Sequence, residues 1–227
     1  MNIIQIFMEY YQYFLRGTRT TILISLITVF CGAILGCLVA LMRISNCKPL
    51  QAFSNLYITV IRGTPMLVQL YIVYYQLSFI QYPSGTIWGV DMERAIPCVI
   101  ALSLNSAAYI AEVFRAGIQA VDVGQMEAAR SCGMTSAQAM RFIILPQAIK
   151  NILPALGNEM ITLFKDTSLV SVIALRDVTK QAQNIVYNTY QAYVPYVSLA
   201  IIYLVLVIIL TKLLGIFERR LRESDRR

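Results

Sequence analysis

The stretch QMEAARSCGMTSAQAMRFIILPQA, from Gln125 to Ala148, is small, charged and rich in alanine, whereas most of the chain around it is apolar. Its beginning predicts about two helical turns. Gly133 is expected to end them, because glycine readily adopts the left-handed conformation that stops a helix. Thr135 or Ser136 is then expected to cap a second short helix. The stretch therefore predicts a helix, a turn and a helix that lie outside the bilayer.

The rest of the chain has the composition of a membrane protein. Of its 227 residues, 58% are hydrophobic and 14% are charged, which is outside the usual range for soluble domains. A helix needs about 20 apolar residues to cross the hydrocarbon core. Four charge-free runs near that length occupy 20–42, 63–90, 95–111 and 194–211. A fifth run, 152–175, is apolar but is interrupted by Glu159, Lys165 and Asp166. The sequence predicts an all-α membrane protein with five transmembrane helices.

The distribution of Lys and Arg orients these spans, since both residues accumulate on the cytoplasmic side. Basic residues after the first and third spans are Arg43, Lys48, Arg115, Arg130, Arg141 and Lys150. The segment 81–93 is acidic and aromatic, which suits an outside loop. The carboxyl terminus is then predicted inside and the amino terminus outside, although Arg16 and Arg19 oppose that orientation.

The predicted organisation is one transmembrane domain with three parts. Residues 1–18 are expected to lie along the interface as an amphipathic helix, and 19–217 form the five-span core with its cytoplasmic coupling segment 122–148. Residues 218–227 form a basic cytoplasmic tail. The net charge of +7 is explained by inside loops that face anionic lipid, so nucleic acid need not be invoked.

Some kinds of site are disfavoured by the residues that the sequence lacks. It has no histidine, and its five cysteines are scattered without a CxxC pair, which argues against a zinc or haem site. The phosphate-binding loop GxxxxGK[ST] is also absent from the sequence. We therefore expect no cofactor in this chain and no enzymatic activity of its own, with ATP and Mg²⁺ bound by a partner.

Glu127, Ala128 and Ala129 in the first stretch are candidates for contact with that partner. The two alanines add little bulk, so another protein's groove can approach the helix backbone closely. Glu127 places a negative charge near the helix start, where it is favourable. Taken alone, these three residues favour an ordinary helix in a loop over a contact site.

The longer spacing is more specific. Glu127-Ala128-Ala129, Gly133 and Ile143-Ile144-Leu145-Pro146 resemble the EAA motif of bacterial ABC importer permeases at every specified position. The resemblance implies that Glu127, Ala128, Ala129 and Gly133 belong to a coupling helix that docks into an ATP-binding subunit. It also implies a type I ABC importer (MetI-like) permease fold in the bacterial cytoplasmic membrane.

Other segments resemble the polar amino acid branch of that family: IRGTPMLVQLYIVYY at 61–75, NSAAYIAEVFRAGIQAV at 105–121 and LFKDTSLVSVI at 163–173. The resemblance implies a permease subunit for polar amino acids that works by alternating access. It further implies a second permease subunit, identical or homologous, a dimer of ATPase subunits, and an extracytoplasmic amino acid-binding protein. The amino acid that is carried stays open.

Polar residues within the predicted spans indicate a candidate substrate path, since ionisable groups in a bilayer usually face a cavity or a partner. Helical spacing places two groups on one stripe each: Asn105, Tyr109 and Glu112, and then Glu159, Thr162 and Asp166. Because a free amino acid carries an ammonium and a carboxylate, its site needs acceptors and donors close together.

The roles within this path are assigned by charge. Glu112 or Asp166 is expected to face the substrate ammonium. Lys165 is a candidate for its carboxylate, as are backbone amides near Thr167 and Ser168 if the span breaks there and exposes a helix start. The alternative is that these charges only hold the protein together, with Glu112 paired to its near neighbour Arg115.

The segment Arg62-Gly63-Thr64-Pro65 precedes an apolar run and is predicted to bend the helix at its proline. A proline about one turn into a span removes a backbone hydrogen bond and kinks the helix. The alternative is a simple helix start, with the Arg62 side chain reaching the lipid phosphates.

Two other function classes stay open. An intramembrane hydrolase would use Ser168 as nucleophile and Lys165 as base, since a desolvated lysine can lose its proton. That segment offers no evident oxyanion donors. A stand-alone ion-coupled transporter is disfavoured by five spans without an inverted repeat. Copurification of an ATPase separates the importer from both alternatives.

Overall fold

The structure is a computed structural model that describes residues 3–45, 47–77, 79–80, 82 and 85–224, with 220–224 described by their backbone alone. Helices and strands follow in the order α1 (Ile3–Ile44), α2 (Lys48–Arg62), α3 (Met66–Gln76), β1 (Thr86–Ile87), β2 (Val90–Asp91), α4 (Met92–Gln119), α5 (Val123–Ser131), α6 (Ser136–Ala139), α7 (Leu145–Asp166), α8 (Val178–Thr189) and α9 (Tyr193–Ser224). A π-helical segment, Met140–Ile144, joins α6 to α7, and a 3-10 segment, Thr167–Ile173, follows α7.

Helices α1 and α4 pack closely because small residues lie between them. Buried positions of α1 recur every third or fourth residue and are small or carry a hydroxyl group: Thr21, Ser25, Thr28, Gly32, Gly36 and Ala40. A Cβ atom at Gly36 would lie 2.6 Å from Ile110 of α4, and one at Gly32 would lie 3.0 Å from Ser106. The absence of a side chain at these glycines therefore permits the close approach, as in other membrane helix pairs.

Helices α2 and α3 meet at an angle of 108°. Pro65 stands immediately before α3, where its missing N–H costs no helical hydrogen bond. The predicted kink within one span is thus a complete break between two helices. The predicted span 63–90 is wrong, because α3 ends at Gln76 and a hairpin pairs Thr86 with Asp91.

The clearest candidates for membrane spans are long apolar helices. Within the described ranges, α1, α4 and the Tyr193–Arg219 part of α9 are long and apolar enough to cross a membrane, and the bent pair of α2 and α3 adds a fourth. Helix α7 covers much of the predicted span 152–175, but polar and charged residues interrupt its apolar face. The structure supports a helical multi-pass membrane protein, and the count of five spans stays a prediction.

The amino-terminal residues continue directly into the first span. Helix α1 runs through residue 18 with one position of non-helical backbone, Tyr10 (φ −112°, ψ 15°). The predicted segment 1–18 is therefore not a separate element within the described residues, and its position along the interface stays a prediction. At the other end, α9 extends to Ser224, well into the predicted tail 218–227, of which 225–227 lie outside the described residues.

Helix α8 has no counterpart among the predicted spans, and it packs against the amino-terminal part of α1. A Cβ atom at Gly17 would lie 2.6 Å from the Val178 Cα, so glycine is required by this contact. Thr21 Oγ1 accepts a hydrogen bond from the Val178 N–H over 3.2 Å. Ile6 and Phe14 of α1 are buried in an apolar cluster with Val178.

The start of α8 is capped by a buried carboxylate. Asp177 accepts hydrogen bonds from the N–H groups of Thr179 and Lys180, which are donors that the helix itself leaves without partners. Its burial raises the pKa of Asp177 to about 6, against the lowering effect of these hydrogen bonds. Burial disfavours the charged form of a carboxyl group, and here that effect is the larger.

Candidate functional site

Helix α5 holds the Glu-Ala-Ala residues. It begins at Asp122, whose carboxylate accepts a hydrogen bond from the Gly124 N–H over 2.7 Å. Glu127 and Ala128 are exposed, whereas Ala129 is buried. Of the three motif residues, Glu127 and Ala128 are thus the ones available to a partner. The expectation that Ala129 contributes to that surface is wrong, because its helical position turns it toward the protein.

The turn after α5 has the predicted form. Gly133 has a φ of +85°, so it adopts the left-handed conformation, and the N–H groups that follow α5 donate to carbonyls of its last turn. Thr135 caps α6 through a capping box, in which its hydroxyl and backbone exchange hydrogen bonds with Gln138. Thr135, rather than Ser136, is therefore the capping residue.

One apolar cluster attaches this coupling segment to both α4 and α7. Its buried members are Val121, Ile144, Ala148 and Ile152. Met126 of α5 and Ile118 of α4 pack against them. Helix α5 is therefore in close-packed contact with both long helices.

A polar cavity of about 420 Å³ lies where the break between α2 and α3 faces α4 and α7. Its lining residues are Arg62, Gly63, Thr64, Pro65, Met66, Asn105, Tyr109, Glu159, Thr162 and Asp166. Of the residues predicted for the substrate path, Asn105, Tyr109 and Asp166 line this cavity. One guanidinium and two carboxylates therefore converge on it.

Gln69, which the sequence analysis did not single out, holds the cavity wall in place. It is buried, and its side-chain amide donates to the carbonyl of Ile61 over 2.6 Å and to the Thr64 hydroxyl over 2.8 Å. Its own oxygen accepts from Asn105 Nδ2 over 2.9 Å. The sequence did contain a signal for this role. Gln69 is an amide in the middle of an apolar run, and a buried amide needs hydrogen-bond partners.

Arg62 occupies the boundary between this cavity and a neighbouring charge cluster. Its guanidinium lies 5.3 Å from the centre of the Tyr109 ring, in a cation–π contact. The same group is 3.8 Å from Glu112 Oε2. Arg62 thus supplies the positive charge of the cavity, a role that its interpretation as a lipid-facing helix start did not include.

Glu112 lies in that charge cluster rather than in the cavity. Its carboxylate accepts from Arg43 of α1 over 2.5 Å and from Arg115 Nε over 2.8 Å. The structure therefore does not bring Glu112 together with Asp166, contrary to the expectation that either faces the same ligand. The alternative pairing of Glu112 with Arg115 is present, and Arg43 strengthens it.

The remaining predicted path residues lie around the end of α7 but do not line the cavity. Lys165 is exposed, and Thr167 is fully buried with its hydroxyl donating to the Phe164 carbonyl over 2.7 Å. Helical backbone continues from Asp166 into the 3-10 segment, so no helix start with free amides forms at Thr167 and Ser168. No hydrogen bond among those described joins Lys165 to Ser168.

Comparison with known proteins relates the sequence and the fold to a family. Residues 32–223 match the family described as "Binding-protein-dependent transport system inner membrane component". The chain is 40% identical over 213 residues to the arginine transport system permease protein ArtQ of Bacillus subtilis (strain 168), covering 94% of each chain. It is 38% identical over 209 residues to the putative glutamine transport system permease protein GlnP of Rickettsia bellii (strain RML369-C), covering 92% of this chain and 93% of that one.

A solved structure is similar over nearly the whole chain. The crystal structure of an amino acid ABC transporter with histidines superimposes with a TM-score of 0.87 at 45% sequence identity. The superposition covers 97% of this chain and 99% of that chain.

Proposed function

This chain belongs to the family of binding-protein-dependent transport system inner membrane components, and we propose that it forms the substrate path of an ATP-driven importer of polar amino acids. It is a transport subunit rather than an enzyme, because its relatives are permease proteins. The observation that carries the proposed substrate class is the convergence of Arg62, Glu159 and Asp166 on one cavity.

The cavity offers complementary groups to both ends of a free amino acid. Asp166 is the acceptor for the α-ammonium, and Arg62 is the donor for the α-carboxylate, in place of the predicted Lys165. The volume of about 420 Å³ falls within the range of about 300–1,000 Å³ for small-molecule sites. Asn105 and Tyr109 add neutral hydrogen-bonding groups from the opposite wall.

The balance of charges favours a basic amino acid within this class. With both carboxylates ionised, Glu159 and Asp166 together outnumber the single guanidinium of Arg62. A substrate with a second cationic group complements the excess negative charge, with Glu159 facing its side chain. The relative from Bacillus subtilis is named for arginine transport, which agrees with this assignment.

Energy for transport is supplied by a partner. Glu127 and Ala128 belong to the exposed face of α5, and we propose that an ATPase dimer, which binds ATP and Mg²⁺, docks on this surface at the cytoplasmic side. ATP binding moves two such helices together, and the apolar cluster of Ile144 and Ile152 passes the movement to α4 and α7. The cavity then opens alternately to the two sides of the membrane.

The complete importer contains further chains. A second permease subunit, identical or homologous, supplies the other wall of the path, and an extracytoplasmic amino acid-binding protein delivers the substrate. The amino terminus is placed outside and the carboxyl terminus inside. The intramembrane hydrolase and the stand-alone ion-coupled transporter receive no support from the relatives, which are permease proteins of transport systems.

Purification of the permease with its ATPase in mild detergent tests the proposal. Mass measurement gives the stoichiometry of the complex. Scintillation binding without the binding protein then compares labelled arginine, lysine, glutamine and glutamate. We expect saturable binding that is tightest for a basic amino acid. A complex that forms but binds none of the four contradicts the cavity assignment, and tightest binding of glutamate contradicts the charge argument.

A further inference from the structure

A second cavity, of about 770 Å³, lies at the end of the helix bundle opposite the coupling segment. It opens between the amino-terminal part of α1, the β-hairpin and the start of α8, and it is lined by Arg16, Arg19 and Arg176. Arg43 marks the other end of α1, about 40 Å away at the helical rise per residue. This arginine cavity is therefore separate from the proposed substrate path.

The charges of the arginine cavity are not neutralised by the protein. Ion pairs in the described ranges involve Arg43, Arg62, Arg94 and Arg115, and none of them reaches a guanidinium of the cavity. Among the described residues no carboxylate lines it. Asp91 lies in an adjoining cavity that Arg176 also lines, but it is paired with Arg94. Asp177 is buried with its oxygens bound to backbone N–H groups. Three like charges around one space favour an anionic ligand.

Neutral groups around the arginines suit a phosphate with a polar substituent. Gln12, Asn184 and Asn188 present side-chain amides to the cavity. Trp88 stands at its edge, with 68% of its surface exposed and a left-handed backbone (φ 53°) in the hairpin turn. Exposed Trp side chains are enriched at the level of lipid headgroups.

An apolar stripe continues from the arginines along the same face of α1. Ile27, Phe30 and Ile34 follow Arg16 and Arg19 at helical spacing. Their side chains are 48%, 68% and 48% exposed. Ile27 lies about 12 Å below Arg19 along the helix axis. A cationic cavity thus borders an exposed apolar surface, and a phospholipid has its charged and apolar groups in the same order.

We propose that the arginine cavity binds the headgroup of an anionic phospholipid, with the phosphate among Arg16, Arg19 and Arg176 and the acyl chains along Ile27, Phe30 and Ile34. Arginine pairs well with phosphate because its planar group donates two parallel hydrogen bonds. The site also explains why Arg16 and Arg19 stand at the end where basic residues are disfavoured, since bound lipid offsets their charge. An anionic lipid is the one occupant that uses both features, since its phosphate meets the arginines while its acyl chains lie on the adjoining apolar stripe.

The test uses the intact permease–ATPase complex, stripped of lipid and titrated in detergent. Native mass spectrometry compares phosphatidylglycerol with phosphatidylcholine of identical acyl chains, so that the net charge of the headgroup is the main difference. We expect phosphatidylglycerol to bind on the order of a hundredfold more tightly, because about fivefold from each of the three arginines near a membrane surface multiplies to that value. Equal binding of the two lipids overturns the proposal without any variant being needed.

Arginine variants then locate the site. Arg16→Gln, Arg19→Gln and Arg176→Gln are each expected to weaken phosphatidylglycerol binding by about fivefold, and phosphatidylcholine binding little. Arg94→Gln is the matched control, because Arg94 lies at the same end of the bundle but is already paired with Asp91. Retention of the full lipid preference in all three cavity variants, or its equal loss in the control, overturns the assignment.

Two further measurements exclude other occupants. Glycerol 3-phosphate carries the phosphate without acyl chains, and we expect no displacement of lipid at concentrations matched to phosphatidylglycerol. Displacement at equal concentration overturns the proposal in favour of a site for soluble anions. If the cavity variants keep the lipid preference but lose stimulation of ATP hydrolysis by the binding protein, the cavity is a protein-docking surface and the lipid proposal fails.

Discussion

Asn105 Nδ2 on α4 donates a hydrogen bond to Gln69 Oε1 on α3 over 2.9 Å. Gln69 in turn donates to carbonyl and hydroxyl groups at the break between α2 and α3. One pair of amides therefore connects two walls of the polar cavity and satisfies the backbone that the break leaves open.

Gln69→Leu is expected to destabilise the break. The substitution removes the donor to the carbonyls of Ile61 and Thr64 and leaves the Asn105 amide without its acceptor. An unsatisfied buried polar group costs about 1–3 kcal/mol, so the melting temperature of the complex falls and substrate binding weakens. Gln76→Leu, at the exposed end of α3, is the control that should change neither. Wild-type stability in Gln69→Leu would show that the amide pair is dispensable.

Asp166→Asn is expected to weaken substrate binding while the complex still assembles. Asp166 lines the polar cavity, and loss of a charge-assisted hydrogen bond costs about 1.5–3 kcal/mol, which is about a tenfold to hundredfold loss of affinity. A scintillation assay of the complex, carried out without the extracytoplasmic binding protein, measures the affinity for substrate. Glu93→Gln removes a carboxylate at the exposed start of α4 and serves as control. Unchanged affinity in Asp166→Asn would remove this residue from the site.

Glu112→Gln is expected to act on stability rather than on substrate affinity. Glu112 accepts from Arg43 and Arg115 outside the cavity, so Gln removes the negative charge that both guanidiniums face and leaves them a single amide oxygen to share. A loss of about 1–3 kcal/mol in stability follows, seen as a lower melting temperature and a smaller yield of complex. The complex that does form should bind substrate nearly as well as wild type. A selective loss of binding at normal stability would return Glu112 to the substrate path.

Glu127→Lys is expected to weaken docking of the ATPase without unfolding the permease. Glu127 is exposed on α5, and reversal of its charge places a like or unpaired charge against the partner. The fraction of permease that copurifies with ATPase, and the substrate-stimulated ATP hydrolysis, should both fall. Glu93→Lys makes the same charge reversal at the other end of the bundle, and it should leave both copurification and ATP hydrolysis unchanged. Full copurification and stimulation in Glu127→Lys would contradict the coupling assignment.

Asp177→Asn is expected to flatten the dependence of stability on pH. The pKa of Asp177 is about 6 in the folded protein, against an ordinary value of 3.8. Between these values the folded state holds a proton that the unfolded state has lost, so stability rises as pH falls through about 6. Over the whole range between these two pKa values the difference is about 3 kcal/mol, at about 1.4 kcal/mol for each pH unit. Asparagine still accepts hydrogen bonds as a helix cap.

Thermal unfolding of the complex from about pH 7.5 to about pH 5 measures this effect as the difference between wild type and Asp177→Asn. Subtracting the two profiles removes the contribution of other carboxyl groups. Parallel profiles would show that Asp177 does not titrate in this range.

The sequence predicted those parts of the protein that depend on local chemistry. Gly133 adopts a left-handed backbone and Thr135 bonds to Gln138, three residues away. The turn after α5 could therefore be predicted from residues that are close in sequence. Long apolar runs likewise predicted α1, α4 and α9, because the length of a membrane span is fixed by the bilayer.

Features that depend on the packing of distant segments were not predictable in this way. The side chain of Glu112 is held by a hydrogen bond from Arg43, which is remote in sequence. Gln69 likewise connects two helices only because Asn105 donates to it. The absence of charge in 63–90 was misleading, since charge alone does not show where a helix ends. Helix α8 is short and amphipathic, and its burial is fixed by contact with Gly17.

Helix α7 is 22 residues long, so it spans about 33 Å from the coupling segment to the polar cavity. Its lower end is fixed to α5 by the cluster of Ile144 and Ile152, and Asp166 stands at its upper end. A tilt of about 5° around the lower end would move Asp166 by about 3 Å, from the length of the helix alone. That distance is comparable to a hydrogen bond. In the proposed importer, a small angular displacement at the ATPase is therefore enough to make or break a direct contact between Asp166 and the substrate.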